Sequence, residues 1–285
     1  MEDDRGSVKR YAQTMSLHVV TWNVNSLRSC LGKGFSAWLT AANPDVVCLQ
    51  EVRAELKHLT PLEPLFPGYR CFWNPAERPG YAGTAILTKF EPRRITIGLA
   101  SDSDPQGRAI TADYGSFRVF SLYAPNASPL TEKIPIKLHW LDRLHDHLQR
   151  YQDTPLIVAG DLNVALTKWD SRGKQHPLGI NGCTPEERAG LETVMTRCAL
   201  VDPMREQHPE QVLSTWWHAV NAERHPLDGV RFDYLLLRQA DRSRVTAQAI
   251  HAQVFGSDHC PVSLTLDLPT TGLSLVQATG QVSLL

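Results

Sequence analysis

The chain has 285 residues, of which 42% are hydrophobic and 21% charged, and 29 Lys and Arg stand against 30 Asp and Glu for a net charge of −1. That composition excludes disorder, collagen and coiled coil for the whole chain, and the length suffices to bury a sizeable core. No apolar run approaches the ~18–20 residues of a membrane span. Near-neutrality excludes coating of nucleic acid by bulk attraction and leaves a local basic face open.

In chain order, residues 1–16 are polar and lack the apolar segment of a secretory signal, so they read as a flexible tail in which Met15 could be an alternative start. Leu17–Trp22 is the first β-rich run, and Leu27–Ala41 follows as one helix with Leu31, Phe35, Trp38 and Leu39 on one side. Val46–Gln50, Tyr69–Trp73, Gly83–Leu87, Arg94–Ile97, Ala109–Tyr114 and Arg118–Tyr123 are predicted strands, with a loop at Ser101 to Gly107. A helix over Thr131–Tyr151 carries Ile134, Leu138, Leu141, Leu144 and Leu148 at helical spacing. Leu156–Ala159 is another strand, and Lys168 to Thr184 is loop-like. Thr184-Pro185-Glu186-Glu187 has a capping Thr, Pro at the first helical position and Glu at the third, so a helix runs from there to about Cys198. Phe232–Leu237, Val245–Ile250 and Val262–Leu266 complete the strands, and residues 269–285 form a polar C-terminal tail. So many strands with so few helices between them do not fit simple βαβ alternation. The expectation is one α/β (α+β) domain over 17–268: a four-layer sandwich of two packed, mostly antiparallel or mixed sheets flanked by helices.

The six cysteines show no C-x-x-C spacing, and Val46-Val47-Cys48-Leu49 sets one in an apolar run, so they read as reduced thiols of an intracellular, cytoplasmic protein. Chemistry gathers instead where strands end: Trp22-Asn23-Val24-Asn25, Leu49-Gln50-Glu51, Gly160-Asp161-Leu162-Asn163, Arg231-Phe232-Asp233-Tyr234 and Ser257-Asp258-His259-Cys260. Each residue alone has a structural explanation as a turn former or cap. On an extended segment, Asp161 and Asn163 would share a face. The joint order of Asn, Glu, Tyr, Asp-x-Asn, Asp and Asp-His is what points to a site.

With Gly80-Tyr81-Ala82-Gly83, Tyr123-Ala124-Pro125-Asn126 and Thr184-Pro185-Glu186-Glu187-Arg188 added, the chain resembles the exonuclease III / apurinic-apyrimidinic (AP) endonuclease family over about residues 17–267. That resemblance implies Mg²⁺- or Mn²⁺-dependent phosphodiester hydrolysis. It implies Glu51, Asn23 and Asp258 at the metal, and Asp161 on the attacking water. Asn163, His259 (oriented by Asp233), Tyr123 and Arg108 would act at the phosphate. Trp216, Val230 and Phe232 would line a pocket for an extrahelical sugar, with Asn126, Arg172 and Lys174 as further DNA contacts. The implied partner is double-stranded DNA with abasic sites or blocked 3′ ends, met by a monomer near the nucleoid. Departures are visible: Val230 stands where the family often has Trp, Ile180 where it has Asn, Ser26 where Gly is common, and Pro129 and Val220 where some relatives insert Arg and Met. Arg53, Arg78, Lys133, Lys137, Lys168, Arg224, Arg231, His58, His176 and His225 are further candidates for the DNA surface. The alternatives are a lipid or RNA phosphodiesterase of the same superfamily and a catalytically silent DNA-binding protein; the intact acidic set argues against the second.

Overall fold

A computed structural model describes residues 14–99, 103–127, 130–171, 181–218, 224–269 and 273–276. Arg172, Lys174, His176, Ile180, Pro129 and Val220 lie outside these residues.

The strands are β1 (Thr14–Asn23), β2 (Val46–Gln50), β3 (Arg70–Asn74), β4 (Thr84–Thr88), β5 (Arg94–Ile97), β6 (Ala109–Asp113), β7 (Arg118–Tyr123), β8 (Leu156–Asp161), β9 (Leu200–Val201), β10 (Asp233–Arg238), β11 (Val245–Ile250) and β12 (Val262–Pro269). They form two six-stranded sheets, ordered β11-β12-β1-β2-β4-β3 and β5-β6-β7-β8-β10-β9. Both are mixed, because β1 runs parallel to β2 and β7 parallel to β8 while the other pairs are antiparallel.

Alternation along the strands explains the layering. Leu17, Val19, Val46, Cys48 and Ile86 of the first sheet meet Ile110, Val119, Ile157, Leu235 and Leu237 of the second in a shared core. The opposite face of the first sheet packs Trp22, Val47, Leu49 and Leu87 against Leu27, Phe35 and Leu39. The opposite face of the second packs Phe120, Leu122 and Val158 against Leu141, Leu144 and Leu191. Helices α1 (Leu27–Leu31), α2 (Phe35–Ala42), α4 (Leu130–Gln149) and α5 (Pro185–Arg197) therefore supply the outer layers, and the expected four-layer sandwich is the fold.

Three local expectations change. The single helix over Leu27–Ala41 is two, because Gly32-Lys33-Gly34 interrupts it and Gly34 takes φ +102°, a conformation that favours glycine. β1 begins at Thr14 and pairs with Pro269, so Thr14–Ser16 belong to the sheet and not to the N-terminal tail. The two-residue β9 and the short helices α3 (Leu56–Leu59) and α6 (Pro203–Gln207) carry too little periodicity to be read from sequence. The start of α5 forms as read: Thr184 Oγ1 accepts from the Glu187 amide, and the Glu187 carboxylate accepts from the Thr184 amide. All six cysteines are free thiols.

Candidate active site

The two sheets bring their strand ends together at one edge. In the second sheet, register places Asp161 between Tyr123 on β7 and Asp233 on β10. In the first, Asn23 at the end of β1 lies beside Gln50, which precedes Glu51. At this edge Asn23 links the sheets: its Nδ2 donates to Glu51 Oε1 and to Asp161 Oδ2, both at 2.9 Å. Asn23 is fully buried, and its Oδ1 accepts from the Asn25 amide at 3.1 Å. Glu51 takes φ +53°, a left-handed conformation that costs a non-glycine residue about 1–3 kcal/mol. Arg53 pairs with its second carboxylate oxygen.

His259 sits across from this pair. Its Nδ1 is 2.8 Å from Asp233 Oδ2, and its Nε2 is 3.9 Å from Asp161 Oδ2. Burial alone would lower the His259 pKa, but Asp233, Asp161 and Asp258 together raise it to about 10. The imidazole is therefore a cation at neutral pH. Asp161 is pushed the other way for a carboxylate: burial raises it, His259 and the Asn23 hydrogen bond oppose, and Asp233 and Glu51 add to the rise, to about 7. Asp233 Oδ1 is buried without a hydrogen-bond partner. Thr215 Oγ1, a residue sequence reasoning did not single out, accepts from the Phe232 and Asp233 amides at 3.0 and 3.2 Å. That fixes the start of β10.

Asn163 does not continue the strand. It takes φ +53°, its amide donates back to Asp161 Oδ1 at 2.9 Å, and its Nδ2 donates to Ala124 O at 3.1 Å. The two residues share a site through a turn rather than through an extended face. Tyr123 lies at the rim. Burial, then Glu51 and Asp161, push its hydroxyl well above the ordinary value against the opposing charge of Arg108, so it stays a donor. Arg108 is held by three neighbours: Nε donates to Gln106 Oε1 at 2.6 Å, one terminal nitrogen to Tyr123 O at 3.2 Å, and the other to the Tyr81 hydroxyl at 3.0 Å. Its guanidinium lies 4.8 Å from the Tyr123 ring centre. Tyr81, half-exposed beside Arg78, was legible only as part of a motif segment.

Asp258 engages both oxygens. Trp216 Nε1 donates to Oδ2 at 3.0 Å, and Asn25 Nδ2 (2.9 Å) and Ser257 Oγ (3.1 Å) donate to Oδ1. Burial works against the charge, but His259 and these donors hold its pKa below the usual carboxylate range. The same bond orients Trp216 above Phe232, with ring centres 5.8 Å apart. Val230, Phe232, Ala165, Cys183 and Trp216 form one apolar patch, so the three expected pocket walls are brought together next to Asp258 and His259. Asn126 is exposed just beyond β7.

Among the described residues, three of the expected surface cations are interior. Lys137, Arg224 and Arg231 are buried and are corrected from DNA contacts to internal residues. Arg231 pairs with Asp170 and Asp202, and Arg224 donates to the carbonyls of Val254, Ser257 and His259. Lys137 pairs with Glu187. Arg78, Lys133 and Lys168 remain exposed beside the site-bearing segments.

Among the described residues, no group of three or more His, Cys, Asp or Glu is placed to enclose a metal ion. The donor set still fits a hard divalent cation in an open site. Glu51 offers one carboxylate beside Asn23, and Mg²⁺ is usually bound by one or two carboxylates with several waters retained.

Two sheets that converge on a buried Asp–His pair, a carboxylate–amide cluster and an aromatic wall define a hydrolase acting on phosphodiester bonds, and comparison with known proteins places it. The model of the endonuclease/exonuclease/phosphatase family matches residues 20–259. The exodeoxyribonuclease of Bacillus subtilis (strain 168) is 31% identical over 256 residues, covering 88% of this chain and 100% of that one. The DNA repair nuclease APEX1 of Danio rerio is 32% identical over 256 residues, covering 88% and 82%. The solved structure of an AP endonuclease from Archaeoglobus fulgidus superposes with a TM-score of 0.77 at 26% identity, covering 88% of this chain and 99% of that one. The chain belongs to the endonuclease/exonuclease/phosphatase family, in its exonuclease III / AP endonuclease branch. No described helix is long and apolar enough to cross a membrane.

Proposed function

We propose that this protein is a Mg²⁺- or Mn²⁺-dependent DNA-repair enzyme that nicks duplex DNA on the 5′ side of an abasic site. It would also act as a 3′-phosphodiesterase and 3′→5′ exonuclease on blocked or recessed 3′ ends. The observation that carries this reading is the convergence of Asn23, Glu51, Asp161, Asp233 and His259 beside the wall of Trp216 and Phe232.

Glu51 would hold the metal together with Asn23, whose amide would turn to bring its oxygen toward Glu51 in place of the nitrogen now there, and Asp258 would lie beside the site near His259. When bound, the metal supplies positive charge at the phosphate and at the departing oxygen. The side chains do the rest. Asp161 accepts the proton of the attacking water, and a carboxyl titrating near neutrality is matched to that task. The His259 imidazolium, held by Asp233, donates to a non-bridging phosphate oxygen as negative charge builds there. Asn163 and Arg108 donate to the same group, and the protonated Tyr123 hydroxyl donates toward the leaving oxygen. A sugar without a base would lie against the apolar patch of Trp216, Val230 and Phe232, and a base still in its stack would not reach it. Arg78, Lys133 and Lys168, with Arg172 and Lys174, would bind the flanking phosphates.

The test is a labelled duplex with one tetrahydrofuran site, incubated with Mg²⁺ or with EDTA, alongside duplexes with recessed 3′ ends. The expected result is a single metal-dependent nick 5′ to the lesion. No nick with any divalent metal, or hydrolysis of a lipid or RNA phosphodiester in its place, overturns the substrate.

A further inference from the structure

One charged side chain lies where the core pattern calls for leucine. On α4 the buried stripe runs through Leu141, Leu144 and Leu148, and one turn before Leu141 the same face carries Lys137. Its side chain, like that of Glu187 on α5, is 0% exposed. Burying an ion pair is not in itself a source of stability, because desolvation of the two charges cancels much of their attraction. The geometry points to another use.

Lys137 Nζ donates to Glu187 Oε1 at 2.7 Å and to the backbone carbonyl of Asn163. Glu187 Oε1 also accepts from the Gly182 amide at 3.0 Å, and its Oε2 accepts from the Thr184 amide and hydroxyl at 3.1 and 3.0 Å. Two loops are thereby fastened to one ion pair. The first is the turn through Asn163, the second the segment with Gly182 and Cys183 that abuts Phe232. The loops also meet directly, with Ala165 N donating to Gly182 O at 2.6 Å. Gly182, at φ +80°, lies so close to Asn163 O and the Phe232 ring that a Cβ there would clash with both. Burial lowers the Lys137 pKa on balance, with Glu187 and then Asp161 opposing.

We propose that Lys137, paired with Glu187, is a positioning residue for the reaction. It holds the Asn163 carbonyl so that the left-handed turn presents the Asn163 side chain at the phosphate, and it ties the pocket wall at Gly182–Cys183 to the same point. This rests on the phosphodiesterase reading above, and a displacement on the order of an ångström at such a group costs on the order of 10²-fold in rate.

The experiment compares K137M, K137R, the charge-free pair K137M/E187Q, N163A and K137M/N163A, well below each melting temperature. Initial rates are measured on the tetrahydrofuran duplex, with amide exchange by mass spectrometry as a readout that needs no substrate. K137M and K137M/E187Q should lose roughly 10- to 100-fold in kcat with KM little changed. K137R should recover most of it, and K137M should cost little once Asn163 is already Ala, because the side chain that Lys137 positions is then already gone. Exchange should rise in peptides spanning 161–166 and 182–184 and not across the sheets. A folded K137M/E187Q with wild-type kcat, or additive losses in K137M/N163A, overturns the inference. If the wild type does not cut the duplex, the proposed substrate falls, and the location of the exchange change still decides the role of the pair.

Discussion

Two buried charge clusters lie within a few residues of each other in sequence and behave in opposite ways. Around Asp170, every charge is matched: Arg231 Nε and a terminal nitrogen of Arg205 both reach Asp170 Oδ1 at 2.5 Å, and Arg231 also pairs with Asp202. Burial opposes these charges. The arginines nevertheless hold Asp170 below the usual carboxylate range, and the aspartates hold Arg231 well above its own. Around Asp161 the balance is broken. Glu51, Asp161, Asp233 and Asp258 face one imidazolium and the half-exposed Arg53, and Asp161 is left near neutrality in pKa. A self-neutralised cluster fixes Arg231, between Val230 and Phe232 of the apolar patch. A cluster with negative charge to spare is built for something that arrives, which in the proposed function is a cation and then a phosphate.

The largest effect that could break this contrast is D161N. It should lower nicking about 10²–10⁴-fold or more while duplex binding in a filter or anisotropy assay is retained. Its stability should move the other way. The folded pKa of Asp161, about 7, lies above the ordinary 3.8, so the ionised carboxylate destabilises the fold progressively as pH rises through that window. In EDTA, D161N should therefore melt higher than wild type at pH 8 and equally at pH 4. A lower melting point at pH 8 would mean that the cluster is not strained by excess charge.

R231M is the mirror experiment. It strands Asp170 and Asp202 in the interior and should cost about 3–5 kcal/mol in urea denaturation, since one member of a buried pair is removed. Turnover per folded molecule should change far less than in D161N. A variant with full stability and lost turnover would reverse the two assignments.

A third, smaller effect separates both clusters from ordinary burial. His147 packs between Phe120 and Tyr151, and burial, helped by Arg150, lowers its pKa to about 4. Unfolded it titrates near 6.5, so it binds a proton more readily there, and stability should fall as pH drops from 6.5 toward 4. H147F should flatten that part of the melting curve. An unaltered slope would place the acid sensitivity elsewhere.

The smallest effect concerns Arg53, whose pairing with Glu51 is half-exposed. R53Q should tighten Mn²⁺ binding by a few-fold in calorimetry, in line with the modest worth of exposed pairs. Weaker binding would make Arg53 a support of the metal site rather than its competitor.

Much of the molecule was legible beforehand because strand patterning and strand-end polarity are local properties. The runs over Val46–Gln50, Arg118–Tyr123 and Val245–Ile250 form strands with the expected bounds, and the Thr184–Glu187 cap opens its helix. Asn23, Glu51, Asp161, Asp233 and His259 could each be named from motif order. Gly32 and Gly34 stood inside an otherwise helical pattern, and only the left-handed backbone at Gly34 shows that the helix ends there. Thr215 had no local signal, since its role depends on the amides of β10.

The sequence by itself determined which side chains could do chemistry, because residue type and position at a strand end are local facts. The tertiary structure decided which charges meet. Asn23 and Asp161 are 138 residues apart and Asp170 and Arg231 are 61 apart. Lys137, Arg224 and Arg231 look like surface cations in sequence and are interior ones in the fold. A charge has no fixed role until its solvent and its partners are known, and both are set by long-range packing.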